Sequence, residues 1–215
     1  MASIMPEIKT TGIVLWRRDT GEADRVLRVL TRDFGMVSAI AKGVKKTKSR
    51  QAGALELFVE ADMHLHRRTG ELFLISRAHP AGHSQQPQLT DLASLKVAYL
   101  MAEWQVAQLP AEQAMPQIYD MSCAVLHQLV QTDRLPVLEL AFQAQLLDTL
   151  GFLPSTFRDP TTQKIIRFLT AHELPDILRL TSDMAAFKKV SDTLQEVYQH
   201  TTEKEGRVRG VTRDW

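Results

Sequence analysis

The chain has 215 residues, 44% hydrophobic and 24% charged, with a formal net charge of +1. These proportions fit one large or two small folded domains and exclude wholesale disorder. No apolar run approaches the roughly 18 residues that a bilayer crossing needs, residues 1–6 lack the basic-then-apolar pattern of a secretory signal, and Cys123 is the only cysteine, so a protein of the reducing cytoplasm without disulfide or four-cysteine zinc site is expected.

In chain order, residues 12–16, 26–30 and 36–41 are short β-leaning segments, punctuated by Thr20-Gly21, Gly35 and Gly43. From Leu55 the pattern has period two: Leu55, Leu57, Val59, Ala61, Met63 and Leu65 fall on one face and Glu56, Phe58, Glu60, Asp62 and His64 on the other. Arg67-Arg68-Thr69-Gly70 reads as a hairpin turn and Leu72-Phe73-Leu74-Ile75 as its return strand. About five short strands in 80 residues predict a small barrel or sandwich over residues 1–80.

After Pro80 the period changes. Residues 79–90, with two prolines, a glycine and three glutamines, read as a linker. Helical stripes follow: Leu95, Tyr99, Ala102, Val106 and Leu109; Ile118, Met121, Val125 and Leu129; Leu138, Phe142, Leu146 and Leu150; Phe187, Val190, Leu194 and Val197. Gly151 and Pro154 end one helix, and Asp159-Pro160 supplies an N-cap and a first-turn proline for the next. About five helices over residues 81–200 are predicted, with core rather than cofactor as the meaning of the stripes. Residues 201–215 are charged and aperiodic and read as a frayed or flexible tail. The fold class is α+β: a small β-barrel, then an α-helical domain.

The small net charge conceals a polarity. Residues 1–80 carry 14 Lys and Arg against 9 Asp and Glu, a balance of +5, and residues 81–215 carry 12 against 16, a balance of −4. Within residues 25–50 stand Arg25, Arg28, Arg32, Lys42, Lys45, Lys46, Lys48 and Arg50 with one acid, Asp33. Such a field attracts polyanions. Lysines on a flexible loop over residues 42–50 would follow a phosphate backbone without reading bases. The predicted nucleic-acid contacts are therefore Arg28, Arg32, Lys42, Lys45, Lys46, Lys48 and Arg50, with Arg67 and Arg68 as an extension. Among Trp16, Phe34, Phe58 and Phe73, Phe58 is the preferred base-stacking residue, because it lies on the polar face of its strand.

Catalytic patterns are thin. The sequence has no glycine-rich phosphate loop, no dinucleotide fingerprint and no nucleophile elbow. His64, His66 and Asp62 share one strand face and could form half a metal site, but a solvated outer face is preferred. Glu22 and Asp24 could pair for metal-assisted hydrolysis, though a local ion pair or cap beside Arg25 is preferred. Cys123, without a basic partner in sequence, reads as a small buried hydrophobe. No catalytic residue, metal or cofactor is expected.

The run Glu22-Ala23-Asp24-Arg25-Val26-Leu27-Arg28-Val29-Leu30-Thr31-Arg32-Asp33-Phe34-Gly35, continued by Ala41-Lys42-Gly43 and Ser49-Arg50, resembles the N-terminal signature of the RecO recombination-mediator family. Thr11-Gly12-Ile13-Val14-Leu15 and Gly151-Phe152-Leu153-Pro154 are compatible with it, and the strong resemblance covers roughly residues 10–80. It implies an OB-fold barrel followed by a helical domain. It also implies a non-enzymatic protein that binds single- and double-stranded DNA, anneals complementary strands and, with RecR, helps load RecA onto DNA coated by single-strand-binding protein. Many members carry a four-cysteine zinc module after the segment matching residues 151–154; here Ser155-Thr156-Phe157-Arg158-Asp159-Pro160 passes directly toward a helix without cysteines. Some relatives also grip the acidic C-terminal tail of single-strand-binding protein through the helical domain. Two other readings of the residues stay open: a general single-stranded RNA- or DNA-binding barrel with a protein-interaction domain, and a metal-dependent nuclease using Asp62, His64 and His66 or Glu22 and Asp24.

Overall fold

The structure is a computed structural model that describes residues 7–47, 49–67, 70, 72–82 and 89–209, the side chains of 204–209 excepted. Five strands form a closed barrel: β1 (Glu7–Thr20), β2 (Asp24–Thr31), β3 (Gly35–Ala41), β4 (Glu60–Arg67) and β5 (Phe73–Pro80). Their order around the barrel is β1-β2-β3-β5-β4, with β1 pairing to both β2 and β4, and β3 running parallel to β5. Closure on β1 is what a five-stranded OB-fold uses to remove its sheet edges. Inward residues alternate along the strands and pack Val14, Leu27, Val29, Val37, Ala39, Ala61, Met63, Leu65, Phe73 and Ile75 into a cluster at most 3% exposed. Burying one such aliphatic side chain contributes roughly 1.5–3 kcal/mol.

The alternation read from Leu55 holds only from Glu60 onward. Leu55 ends a short 3-10 turn (Gly53–Leu55), and Phe58 takes a left-handed φ of 65°. Its N–H donates to the Val14 carbonyl at 2.8 Å, so the chain crosses β1 in a turn before β4 starts. Strand β1 is longer than the sequence suggested and is bulged between Val14 and Trp16. The bulge reverses which side chains point outward beyond it. Of the predicted hairpin tip, Arg68 and Thr69 lie outside the described residues.

The helical half contains α1 (Leu92–Gln108), α2 (Pro116–Gln128), α3 (Leu135–Thr149), α4 (Pro160–Ala171), a single turn α5 (Leu174–Ile177) and α6 (Met184–Arg209). Helix α3 is central: it touches each of the other five, and Val137, Leu138, Leu140, Ala141, Phe142, Ala144, Leu146 and Leu147 are all buried. An all-round apolar helix is the mark of such a position. Asp159 caps α4 as expected, its carboxylate accepting from the Thr162 N–H at 2.7 Å. Helix α6 runs past Thr201, where the apolar stripe ends, to Arg209. Gln108 Nε2 donates to Thr201 Oγ1 and Thr202 Oγ1 at 3.1 and 3.3 Å, and Tyr198 stacks on Trp104 at 4.1 Å, so side-chain contacts extend α6 past its apolar stripe. Residues 210–215 lie outside the described part.

The two halves share one core. Ile13, Leu15, Leu30, Met36 and Phe58 of the barrel belong to the same cluster as the buried residues of α1, α2, α3 and α6. At the seam, the Glu112 N–H donates to the Met36 carbonyl at 2.9 Å, and Gly35, at φ 68°, lies so close to Gln113 that a Cβ would fall 1.8 Å from its carbonyl oxygen. Only glycine fits there. Helix α2 is held to the barrel by the Tyr119 hydroxyl, which donates to Glu60 Oε1 at 2.7 Å.

Candidate nucleic-acid interface

Cross-strand pairing decides which barrel side chains share a face. Trp16 lies opposite Arg28, and Arg28 opposite Ser38; Arg18 lies opposite Val26, and Val26 opposite Ile40. None of these is buried, whereas their neighbours Leu27, Val29, Val37 and Ala39 are. The outer face of β1-β2-β3 thus presents Trp16, Arg18, Val26, Arg28, Ser38 and Ile40. The Arg18 guanidinium lies 5.9 Å from the Trp16 ring centroid, within cation–π reach. From Trp16 to Thr20 is four residues, about 13 Å of strand, and at that end the face meets the basic loop.

The loop is anchored rather than loose. Val44 is 3% exposed in the barrel core, Lys45 N–H donates to the Ala23 carbonyl at 3.0 Å, and Gly43 N–H donates to Asp24 Oδ1 at 2.8 Å. This anchoring points Lys42, Lys46 and Arg50 into solvent, where they have no ion pair among the described residues. Arg28 is half-buried and likewise without an ion pair there.

Other predicted contacts are committed elsewhere. Lys45 Nζ lies 2.9 Å from Asp19 Oδ2. Bonds from Lys45 and then Arg25 hold the Asp19 carboxyl below its usual range. Arg32 reaches across to α2 and donates to both Asp120 oxygens at 3.1 Å, which raises its pKa. Arg67 pairs with Glu112, again across the seam. Arg17 and Arg25 both bind Glu56, and Arg25 binds Asp19 at 3.0 Å. Lys48 and Arg68 lie outside the described residues.

Phe58 is a correction. It is 5% exposed and packs edge-to-face on Tyr99 of α1, ring centroids 5.2 Å apart, so no base can stack on it. In an isolated strand its position would be the polar face, but here the chain turns left-handed at Phe58 and α1 covers it. Phe73 is buried and Phe34 packs against the barrel core. Trp16 is the barrel aromatic on the outer sheet face. The β1 bulge puts it there, and a bulge is not legible in a short apolar run.

The groups considered for catalysis, the exposed Glu22 apart, are occupied. His64 Nδ1 lies 2.8 Å from Glu7 Oε1, and His66 Nε2 lies 3.0 Å from Ser76 Oγ. The His64 bond holds the Glu7 carboxyl below its usual range. Asp62 accepts from Thr11 at 2.9 Å. Asp24 caps Gly43, and Arg25 turns to Asp19 and Glu56 instead of to Glu22 or Asp24. Among the described residues no three His, Cys, Asp or Glu side chains come together to hold a metal. Cys123 faces Glu60 at 3.6 Å; burial and that carboxylate push its thiol up to about 12, away from the thiolate a nucleophile needs. The loop before α4 offers no thiolate for a four-cysteine zinc module, and the single cysteine stands on α2.

Comparison with known proteins gives the chain's family. Residues 5–83 match the family described as Recombination protein O N terminal, and residues 89–168 match Recombination protein O C terminal. The chain belongs to the RecO family. A "DNA repair protein RecO" of Dehalococcoides mccartyi is 30% identical over 148 residues, 69% of this chain and 58% of its own. One of Desulfitobacterium hafniense is 33% identical over 144 residues, 66% of this chain and 51% of its own. One of Bifidobacterium adolescentis is 38% identical over 99 residues, 46% of this chain and 40% of its own. The chain therefore spans about half the length of the curated RecO relatives it matches. No helix among the described residues is long and apolar enough to cross a membrane.

Proposed function

We propose that this chain is a non-enzymatic DNA repair protein that mediates recombination. It binds single- and double-stranded DNA on the outer face of β1-β2-β3 and the adjoining loop, promotes annealing of complementary strands and, with RecR, helps load RecA onto DNA coated by single-strand-binding protein. The reading implies a cytoplasmic protein that joins the nucleoid when bound to DNA. Contact with the acidic tail of single-strand-binding protein would fall to the helical half.

The observation that carries this reading is the sorting of the barrel's cations. Arg18, Arg28, Lys42, Lys46 and Arg50 line one outer face and its loop without an ion pair among the described residues, while Arg17, Arg25, Arg32, Lys45 and Arg67 are held by carboxylates; Lys9 and Arg77, also without an ion pair there, stand apart from that face on either side of His64. Unpaired cations on one face neutralise phosphates and release counterions, which is the main sequence-independent source of affinity for DNA. Two strands on that face repel each other less, so pairing nucleates faster.

The test is annealing of complementary oligonucleotides with and without a metal chelator, combined with binding over a salt titration. Acceleration that survives chelation is expected. If about four phosphates are neutralised, log K against log salt should have a slope near −3 for single strands. Absence of annealing, or a salt-independent affinity, overturns the reading. Cleavage of the DNA in divalent metal would replace it with the nuclease, and preference for RNA in competition would replace it with the general adaptor.

A further inference from the structure

Between β1 and α1 a groove of about 290 Å³ opens on the surface beside Trp16. Its walls are Leu15, Trp16, Leu57, Tyr99 and Val106, with Glu103 at the rim. Tyr99 is 53% exposed, a large aromatic that α1 holds out toward the barrel although most of that helix is buried. Its ring is braced edge-to-face by Phe58 at an interplanar angle of 86°, and Trp16 is braced by Arg18. The groove thus joins two supported rings to a largely apolar floor.

We infer that this groove receives an unpaired base of the bound strand, stacked by Trp16 and Tyr99. The inference rests on the DNA-binding reading above and gives it a second, non-electrostatic element. Three observations choose a nucleobase over other occupants. Trp16 shares its sheet face with Arg28 and Arg18, so a backbone lying on those cations passes the mouth of the groove. Arg17, the cation at the groove itself, is already paired with Glu56, and Glu103 adds a carboxylate at the rim. A phosphate is therefore disfavoured inside, whereas a flat ring with N–H edges is not. Duplex bases, already stacked, have no face to offer, so the groove separates single strands from duplex by chemistry that the lysine loop lacks.

The test compares an oligothymidylate of about 16 nucleotides with a strand of equal length whose residues are abasic, which keeps the phosphates and removes the rings. Stacking one base contributes about 5- to 150-fold in affinity. The full chain should bind oligothymidylate more tightly than the abasic strand by that factor. Tyr99→Leu and Trp16→Leu, which keep the apolar walls, should bring the ratio toward one. The exposure of Tyr99 keeps its variant foldable even if replacing Trp16 destabilises β1. An equal affinity of the unaltered chain for both strands, or an unchanged ratio in both variants, overturns the inference. In that case salt-dependent binding of the abasic strand leaves the electrostatic reading standing. Binding of neither strand removes both.

Discussion

On the barrel, Arg18, Arg28, Lys42, Lys46 and Arg50 point outward without an ion pair among the described residues. In the helical half, Arg179 and Lys188 each sit one turn from a carboxylate, Asp176 at 3.6 Å and Asp192 at 3.5 Å, whereas Lys96, Arg158, Lys164, Arg167 and Lys189 have no ion pair among the described residues. The helices also hand carboxylates to the barrel: Asp120 to Arg32 and Glu112 to Arg67. Two carboxylates of the helical half thus neutralise barrel cations at the seam, while the five barrel cations named above keep no ion pair among the described residues. Net charge near zero conceals this, because it counts both kinds together.

Four experiments sharpen or break that contrast, from the largest expected effect to the smallest. Phe142→Ala empties the centre of α3, where the ring is fully buried, and should cost about 3–5 kcal/mol in urea unfolding. Because one core cluster contains residues of both halves, barrel and helix signals should shift together; separate transitions would show that the halves fold independently. Next, Gly35→Ala and Gly21→Ala both place a side chain at positive φ, a strain of about 1–3 kcal/mol. Only Gly35 also faces the backbone of Gln113, while Gly21 has open space around it. Gly35→Ala should be clearly the more destabilising in denaturant titrations; equal losses would mean that the seam yields easily.

The third is the combined replacement of Lys42, Lys46 and Arg50 by Ala. The salt slope of single-strand binding should become shallower by about 2, with the melting temperature unchanged. Replacing Lys188 and Arg179 should leave the slope alone; a similar change there would dissolve the distinction between the halves. The smallest effect is expected from Asp120→Asn. It releases the Arg32 guanidinium, so DNA affinity should rise a few-fold at low salt and return to the original value at high salt. No rise at low salt would place Arg32 outside the DNA path.

Much of the architecture was legible in the residues. Period-two alternation located Ala61, Met63 and Leu65 inside β4, four-residue steps located Leu138, Phe142 and Leu146 in α3, and Asp159-Pro160 marked the start of α4. These signals are local: each follows from the geometry of one strand or one turn. The run of basic residues was equally visible, since charge is a property of composition.

What the amino-acid order determined alone was therefore the kind of element at each place and the surplus of cations in the first half. Tertiary structure decided which cations are free and which aromatic is exposed. Lys45 and Arg32 are spent on Asp19 and Asp120, one from a neighbouring strand end and one from a helix 88 residues away. Phe58 is covered by α1, and the β1 bulge turns Trp16 outward instead. The physical reason is distance: pairing and burial depend on groups brought within a few ångströms by folding, and local periodicity carries no information about partners so far along the chain.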